Sequence, residues 1–382
     1  MNNPDSDTIT LLFAGDFVPQ DDKRILISND LSEVLKDKDF SMVNLEVPFT
    51  DNLKGILKTG NNHRTSKENA VKVKNCCFDA VSLSNNHIRD YGTKGVADTL
   101  DTCLNNSILT VGAGLNITDA LKPLNVEIKG RRISILNYSE IEFNAASISR
   151  GGANPFDLIK VLEQIKEEKQ QNDFVIFVYH GGIEYHYLPT PEIVRLFKFL
   201  IDSGVDCIIS HHTHRYSGLL FYKKKPLFFG LGNFIAPTKN RNTKQWLTGI
   251  MARIIIENEN IHGEIIPVQM GKDFLSIDLL TGEKRQEVLS HISELSETIN
   301  NEKLLNDYWI KSYNEYNRKL IQVLDSDSFT EYRLKKLLQI NGTSRISRFR
   351  LLNTLNFLRC FSQRQKLIKV LEDIYDKYDS EE

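Results

Sequence analysis

The chain has 382 residues, of which 41% are hydrophobic and 26% charged, with a formal net charge of -2 at pH 7. That length is enough to bury a substantial core and exceeds the usual size of one small domain. The balance is that of an ordinary globular protein, so it excludes a disordered chain and supplies no cationic footprint for specific nucleic-acid binding.

The N-terminal stretch MNNPDSDTITLLFAGD carries no basic region followed by an apolar one. No run approaches the ~20 apolar residues of a spanning helix, so a soluble, cytoplasmic protein with no transmembrane segment is expected. Five cysteines, Cys76, Cys77, Cys103, Cys207 and Cys360, are odd in number and lack C-x-x-C spacing. They point to a reducing compartment and away from a disulfide framework or a thiolate zinc site.

Along the first 280 or so residues, short apolar runs alternate with amphipathic stretches, the pattern of an α/β domain. Predicted strands are TITLLFAGD, FSMVNLE, FDAVSLS, ILTVGAG, FVIFVYHGG and VDCIISHH, apolar throughout as in strands covered on both faces. Helices are predicted over TKGVADTLDTCLNNS, with Val96, Leu100, Cys103 and Leu104 on one face, and over PEIVRLFKFLIDSG, stopping at Gly204. KPLFFGLGNFI, GIMARIIIENEN and IHGEIIPVQM read as antiparallel strands joined by hairpins. From about Lys284 the texture becomes long and helical. Stripes are marked by Leu305, Tyr308, Trp309, Tyr316, Leu320, Val323 and Leu324; by Leu351, Leu352, Leu355, Leu358 and Phe361; and by Leu367, Leu371, Ile374 and Tyr378. Residues 284–382 are therefore taken as a helical C-terminal region following a domain over 1–283. The span Arg333 to Lys369 is rich in Lys and Arg, either a solvated cationic face or a surface for an acidic protein, polymer or membrane partner.

Polar, metal-ligating residue types recur where the apolar strands end: Asp16, Glu46, Asn85, Asn86 and His87, His180, and His211, His212 and His214. In open α/β sheets, sites gather beyond the carboxyl ends of strands. Carboxylate, amide and imidazole donors without thiolates suit manganese, iron, zinc or magnesium, and the ligand count suits two ions better than one.

The motifs LLFAGD, VNLEVPFT, FDAVSLSNNHIRDYGTKGVADTLD, VGAG, VYHGGIEY, SHHTH and LGNFI resemble, in order, the bacterial capsule-synthesis (CapA, PGA_cap) family, whose fold is similar to calcineurin-like metallophosphoesterases. The resemblance covers roughly residues 8 to 240 and implies a four-layer α/β/β/α sandwich with a C-terminal helical appendage outside it. It implies two divalent ions, Mn, Fe or Zn. Asp16 and His214 are carried over to the first metal, Glu46 to the bridging position, Asn86, His180 and His212 to the second, and His87 to a general acid. With Thr213 between them, His212 and His214 are expected on one side of an extended segment, with His211 facing away. Val18 stands where the phosphoesterase pattern has a histidine. HGG replaces His-Trp-Gly, which is expected to remove an aromatic wall. Arg64 is a candidate clamp for a phosphate or carboxylate, with an ordinary loop arginine as the alternative. Asn233 is a candidate to orient ligand or substrate, with a buried turn asparagine satisfying its own backbone as the alternative, and Glu184 and His186 are candidates to line the pocket mouth, with a surface position as the alternative for His186.

Two classes of function follow. One is a metal-dependent hydrolase, a phosphoesterase first, acting on a capsule, poly-γ-glutamate or envelope polymer or its precursor. The other is an accessory protein that binds an anionic polymer during capsule assembly without turnover. A phosphodiesterase acting on nucleotides is a third reading, with no phosphate-binding loop in its favour.

Overall fold

In the strand Ile9–Phe17 (β1), Ile9, Leu11 and Phe13 enter one apolar cluster while Leu12 and Ala14 enter another. Alternate residues of a strand face opposite ways, so β1 is buried on both faces and belongs in the middle of a layered fold. The computed structural model describes residues 7–20, 23–238, 243–312 and, toward the C-terminus, 352, 356, 359–362, 364, 365 and 368. Predicted stripe positions Tyr316 to Leu324, Leu351, Leu355, Leu358 and Leu367 to Tyr378 lie outside these residues, as does most of the basic span.

β1 pairs in parallel with Phe40–Leu45 (β2), followed across the sheet by Ala80–Ser82 (β3) and Leu109–Val111 (β4). A second sheet is centred on Arg131–Ser139 (β5), Phe174–His180 (β6) and Cys207–His211 (β7), again parallel. Asn233–Ile235 (β8) pairs in parallel with the end of β1. Thr248–Glu257 (β9) pairs antiparallel with β1 and forms the predicted hairpin with Asn260–Met270 (β10).

Between the sheets, Ile9, Leu11 and Phe13 share one apolar cluster with Ile133, Ile176 and Ile208. Outside the first sheet lie the helices Asn29–Lys36 (α1) and Gly92–Asn105 (α2), with Leu31, Leu35, Val96 and Cys103 in the second cluster. Outside the second sheet lie Leu158–Gln171 (α3) and Pro191–Asp202 (α4), with Val161, Ile165, Phe197 and Leu200 buried. The expected α/β/β/α layering is thus observed. Sequence sets the helix starts: Asp157 accepts from the N–H groups of Ile159 and Lys160, and the Thr190 hydroxyl accepts from Ile193 N–H with Pro191 in the first turn. Gly204, at φ +122°, supplies the left-handed residue after α4.

Elements beyond the predicted ones, α1, α3 and β5 among them, complete the layers. β5 escapes an apolar-run reading because Ser134, Asn137 and Ser139 interrupt it, and all three are buried and bonded. Ser134 donates to Glu168 of α3 at 2.9 Å, and Asn137 accepts from Ser84 N–H at 2.8 Å, joining the second sheet to the first. KPLFFGLGNFI does not form antiparallel hairpin strands throughout. Its first part pairs antiparallel with Leu219–Tyr222 and in parallel with β7, while its last three residues are β8, parallel to β1.

Residues of the C-terminal part pack on the same core. Val288, Ile292, Leu295 and Ile299 of Gly282–Asn300 (α5), with Leu305 and Trp309, join the cluster of the second sheet. Trp309 Nε1 donates to Pro189 O at 2.7 Å. Among the described residues no helix is long and apolar enough to cross a membrane.

The β1–β8 pairing depends on close backbone approach. Asp16 N–H donates to Gly232 O at 3.0 Å, and a Cβ on Gly15 would stand 2.0 Å from that oxygen. Gly15→Ala is therefore expected to lower the unfolding free energy by about 1–3 kcal/mol through forced backbone displacement, read from the denaturant midpoint. An unchanged midpoint would show that the strand pair yields at no cost.

Candidate metal centre

The parallel strands of both sheets present their carboxyl ends to one place. Asp16 comes from the end of β1, Glu46 from the residue after β2, His180 from the last position of β6, and His211 from that of β7. The Asn85 side chain shapes the loop after β3. Its amide donates to Leu45 O at 2.8 Å and its oxygen accepts from the N–H groups of His87 and Ile88, which sets Asn86 toward β6.

The resulting cluster divides about Glu46. On one side, Glu46, His180 and His212 bring one ligand atom each within 4.8 Å of one another; on the other, Asp16, Glu46 and His214 do the same. Glu46 Oε1 lies 3.5 Å from His180 Nε2, and Oε2 lies 3.8 Å from His214 Nδ1. Asn86 Oδ1 is 3.0 Å from His180 Nε2, and His212 Nδ1 is 3.1 Å from the same atom. Asn44, inside β2, donates to Asp16 Oδ1 at 2.7 Å and lies 3.3 Å from His180 Nδ1, which ties the two halves from behind.

After His211 the SHHTH stretch is not extended. His212 and His214 have φ of +91° and +54°, a left-handed conformation costing about 1–3 kcal/mol each, and this turn rather than strand alternation brings both rings to the cluster. His211 does not face away. It closes β7 with Nδ1 3.7 Å from Asp16 Oδ1, buried and without a hydrogen bond. The aromatic wall expected to be missing is supplied from elsewhere: the Tyr185 and Trp246 rings lie 5.9 and 4.8 Å from that of His214.

The electrostatics describe a site short of positive charge at one carboxylate. Both oxygens of Glu46 are buried and accept no hydrogen bond. Burial, with the charge of Asp16, pushes the Glu46 carboxyl well above its usual range. Burial opposes charge at Asp16 too, but the hydrogen bond and charge of His214, then His211 and Asn44, hold that carboxyl low. For His214, burial disfavours the charged ring, yet Glu46 and Asp16 push its pKa up to about 10. Burial and the neighbouring His212 and His211 hold His180 well below the usual imidazole range. A cation beside Glu46 would satisfy its orphaned oxygens and offset its repulsion from Asp16, so the oxygen and imidazole donors fit a divalent metal.

A cavity of about 480 Å³ opens on the cluster, lined among others by Glu46, Asn86, His87, His212, His214 and Val18. His87 Nδ1 lies 2.7 Å from Asp90 Oδ2, and Lys58 makes a buried ion pair with Asp90 and comes within 3.2 Å of His87. Lys58 and Glu142 lie outside the sequence motifs, and Asp90, inside one of them, was not singled out although it follows His87 by three residues, a detectable spacing. Glu184 lines the cavity. His186 turns to the Tyr308 hydroxyl at 3.0 Å. Arg64 lies outside the lining; it donates to Thr50 O at 3.1 Å and covers the Tyr91 ring. Asn233 stands behind the cluster, with Oδ1 3.0 Å from His214 Nδ1 and its amide donating to Trp246 O, so it orients His214 rather than facing the cavity.

Fold and site together define an α/β/β/α protein with a buried carboxylate–imidazole cluster, compatible with metal binding, where the strands of both sheets end. The family described as bacterial capsule synthesis protein PGA_cap matches residues 10–238, and the chain belongs to it. A capsule biosynthesis protein CapA of Bacillus anthracis is 34% identical over 215 residues, 54% of this chain and 52% of that protein. A PGA biosynthesis protein CapA of Bacillus subtilis (strain 168) is 31% identical over 175 residues, covering 45% and 46%. The chain spans about half the length of these relatives. A 5'-nucleotidase from Candida albicans SC5314 aligns over 82% of this chain and 59% of its own at 12% identity with a TM-score of 0.43, a likeness too slight to bear on function.

Coordination needs deprotonated ligands, while without metal His214 holds its proton at pH 7 and Glu46 is raised. Manganese uptake at pH 7 is expected to release about one proton or more per chain, and affinity is expected to fall as pH falls. Calorimetric titration in buffers of different ionisation enthalpy reads the release; a buffer-independent heat would contradict it.

Proposed function

We propose that the chain is a divalent-metal-dependent hydrolase, cleaving a phosphoester in the biosynthesis of a capsule, poly-γ-glutamate or related envelope polymer. The observation that carries this reading is the sharing of Glu46 between two ligand triads. Asp16, Glu46 and His214 would hold one ion, and Glu46, His180 and His212 with Asn86 the other. Two such ions, Mn, Fe or Zn, would supply Lewis acidity toward the phosphoryl oxygens and would acidify water near neutral pH.

The chain's own residues then bind and move protons. Lys58 lines the cavity and attracts the anionic group, and His63, whose charged form burial disfavours, lines it beside Lys58. Asp90 fixes the His87 ring through Nδ1, which leaves Nε2 for the leaving oxygen. In the free site burial and Lys58 push His87 down to about 4, so its ring is neutral. A phosphoryl group beside it works the other way, favouring uptake of the proton that His87 later delivers.

Val18 favours a second reading. It lines the cavity where a further imidazole would strengthen the Asp16 triad, so that triad has three side-chain donors. A site so furnished suits an accessory protein that binds an anionic polymer without turnover.

With added manganese the protein is expected to hydrolyse bis(p-nitrophenyl) phosphate. Glu46→Ala loses metal and turnover together, whereas His87→Ala keeps its metal and loses about 10²–10⁴ in kcat. Elemental analysis beside the assay separates the two variants. A metal-loaded native chain with no turnover in any divalent ion would remove the hydrolase reading and leave the accessory one.

A further inference from the structure

Glu140, the residue after β5, is buried, and among the described residues no ion pair reaches it. Its carboxylate accepts from five donors: Oε1 from Gly182 N–H at 2.8 Å, the Tyr179 hydroxyl at 3.2 Å and the Ser362 hydroxyl, and Oε2 from Ser362 N–H at 3.0 Å and the Cys360 thiol at 2.8 Å. Three of these come from residues more than two hundred positions away in sequence. Ordering so distant a segment costs chain entropy, which donors converging on one desolvated carboxylate can offset.

What the clamp holds in place is Asn356. This residue lines the cavity over the candidate metal centre, and its Oδ1 is buried without a hydrogen-bond partner. An amide oxygen left in that state is costly unless something arrives to donate to it. Two acids share the cavity lining, Glu184 and Glu142, the latter two residues beyond Glu140. With the Asn356 oxygen they give the cavity lining three acceptor groups for a nitrogen donor.

We propose that the C-terminal segment completes the site: Glu140 clamps residues 360–362 onto the core, and Asn356 with Glu142 and Glu184 recognises an ammonium or amide N–H on the non-reacting part of an anionic substrate. This rests on the cavity being the substrate site, and it names the substrate class that site takes, a phosphoester bearing a nitrogen donor. Asn356 is then a specificity residue and Glu140 a positioning residue.

The clamp is tested by hydrogen–deuterium exchange on the full chain. Ser362→Pro removes two of the five donors, its N–H and its hydroxyl, and Glu140→Gln turns an amide N–H₂ toward donors. Both are expected to raise exchange across 356–365 about tenfold or more while β9 and β10 stay protected. Equal exchange in native and variant chains would overturn the clamp, and loss of protection in β9 for Glu140→Gln leaves Ser362→Pro to decide.

Specificity is tested by calorimetric binding of 2-aminoethyl phosphate against methyl phosphate, with and without manganese, so turnover is not needed. The native chain is expected to prefer the aminoethyl ester by roughly tenfold, and Asn356→Ala to lose most of that preference. No preference in the native chain, or the same preference in the variant, overturns the proposal. A preference that persists in a chain with no hydrolysis would count against the hydrolase reading alone.

Discussion

A buried carboxylate with no hydrogen bond to either oxygen is an unstable thing to build a site around, and Glu46 is that carboxylate. Desolvation of an acid group is tolerated when the group is neutralised or when opposite charge is brought to it. The cluster does the second only in part: His214 is drawn into its charged form by Glu46 and Asp16, while His180 is held neutral. The remaining deficit of positive charge is what a divalent ion would fill. Every surrounding feature keeps that deficit in one place: Asn44 spans Asp16 and His180, Asn233 backs His214, and two left-handed histidines bend the chain after β7.

Much of this was legible in the sequence, for a physical reason. Strands buried on both faces are apolar throughout, so a polar residue at their carboxyl end stands out, and Asp16, Glu46, His180 and the SHHTH histidines announced themselves in that way. The same rule hid β5, whose Ser134, Asn137 and Ser139 are buried by virtue of partners contributed from other elements. It also hid Asn44, which sits inside a strand rather than at its end. The route by which His212 and His214 meet the cluster was not legible, because positive φ at a histidine is imposed by tertiary context and carries no local signature. Lys58 and Glu140 depend on contacts across 32 and 222 residues, Lys58 to Asp90 and Glu140 to Ser362, distances over which spacing has no meaning.

The two sheets contribute unequally. The first supplies the carboxylates and the Asn-His loop, the second the histidines, and Asn137 joins them by bonding to Ser84 N–H on one side and Val178 O on the other. Packing between two twisted sheets is adaptable, but a buried side-chain bond across it fixes one register. That register sets the separation of Glu46 from His180.

Asn85 carries a further implication. One amide group bonds the carbonyl at the end of β2 and the two N–H groups that begin the turn holding His87. The carboxylate that anchors the cluster and the imidazole assigned to proton delivery are therefore mounted on a single mechanical part. Drift of β2 during evolution or thermal motion carries both together, so the spacing between them has the tolerance of one side chain rather than of two loops. Asn85→Asp would set one carboxylate oxygen against Leu45 O, with the other still accepting from the turn, and let that part come apart into halves.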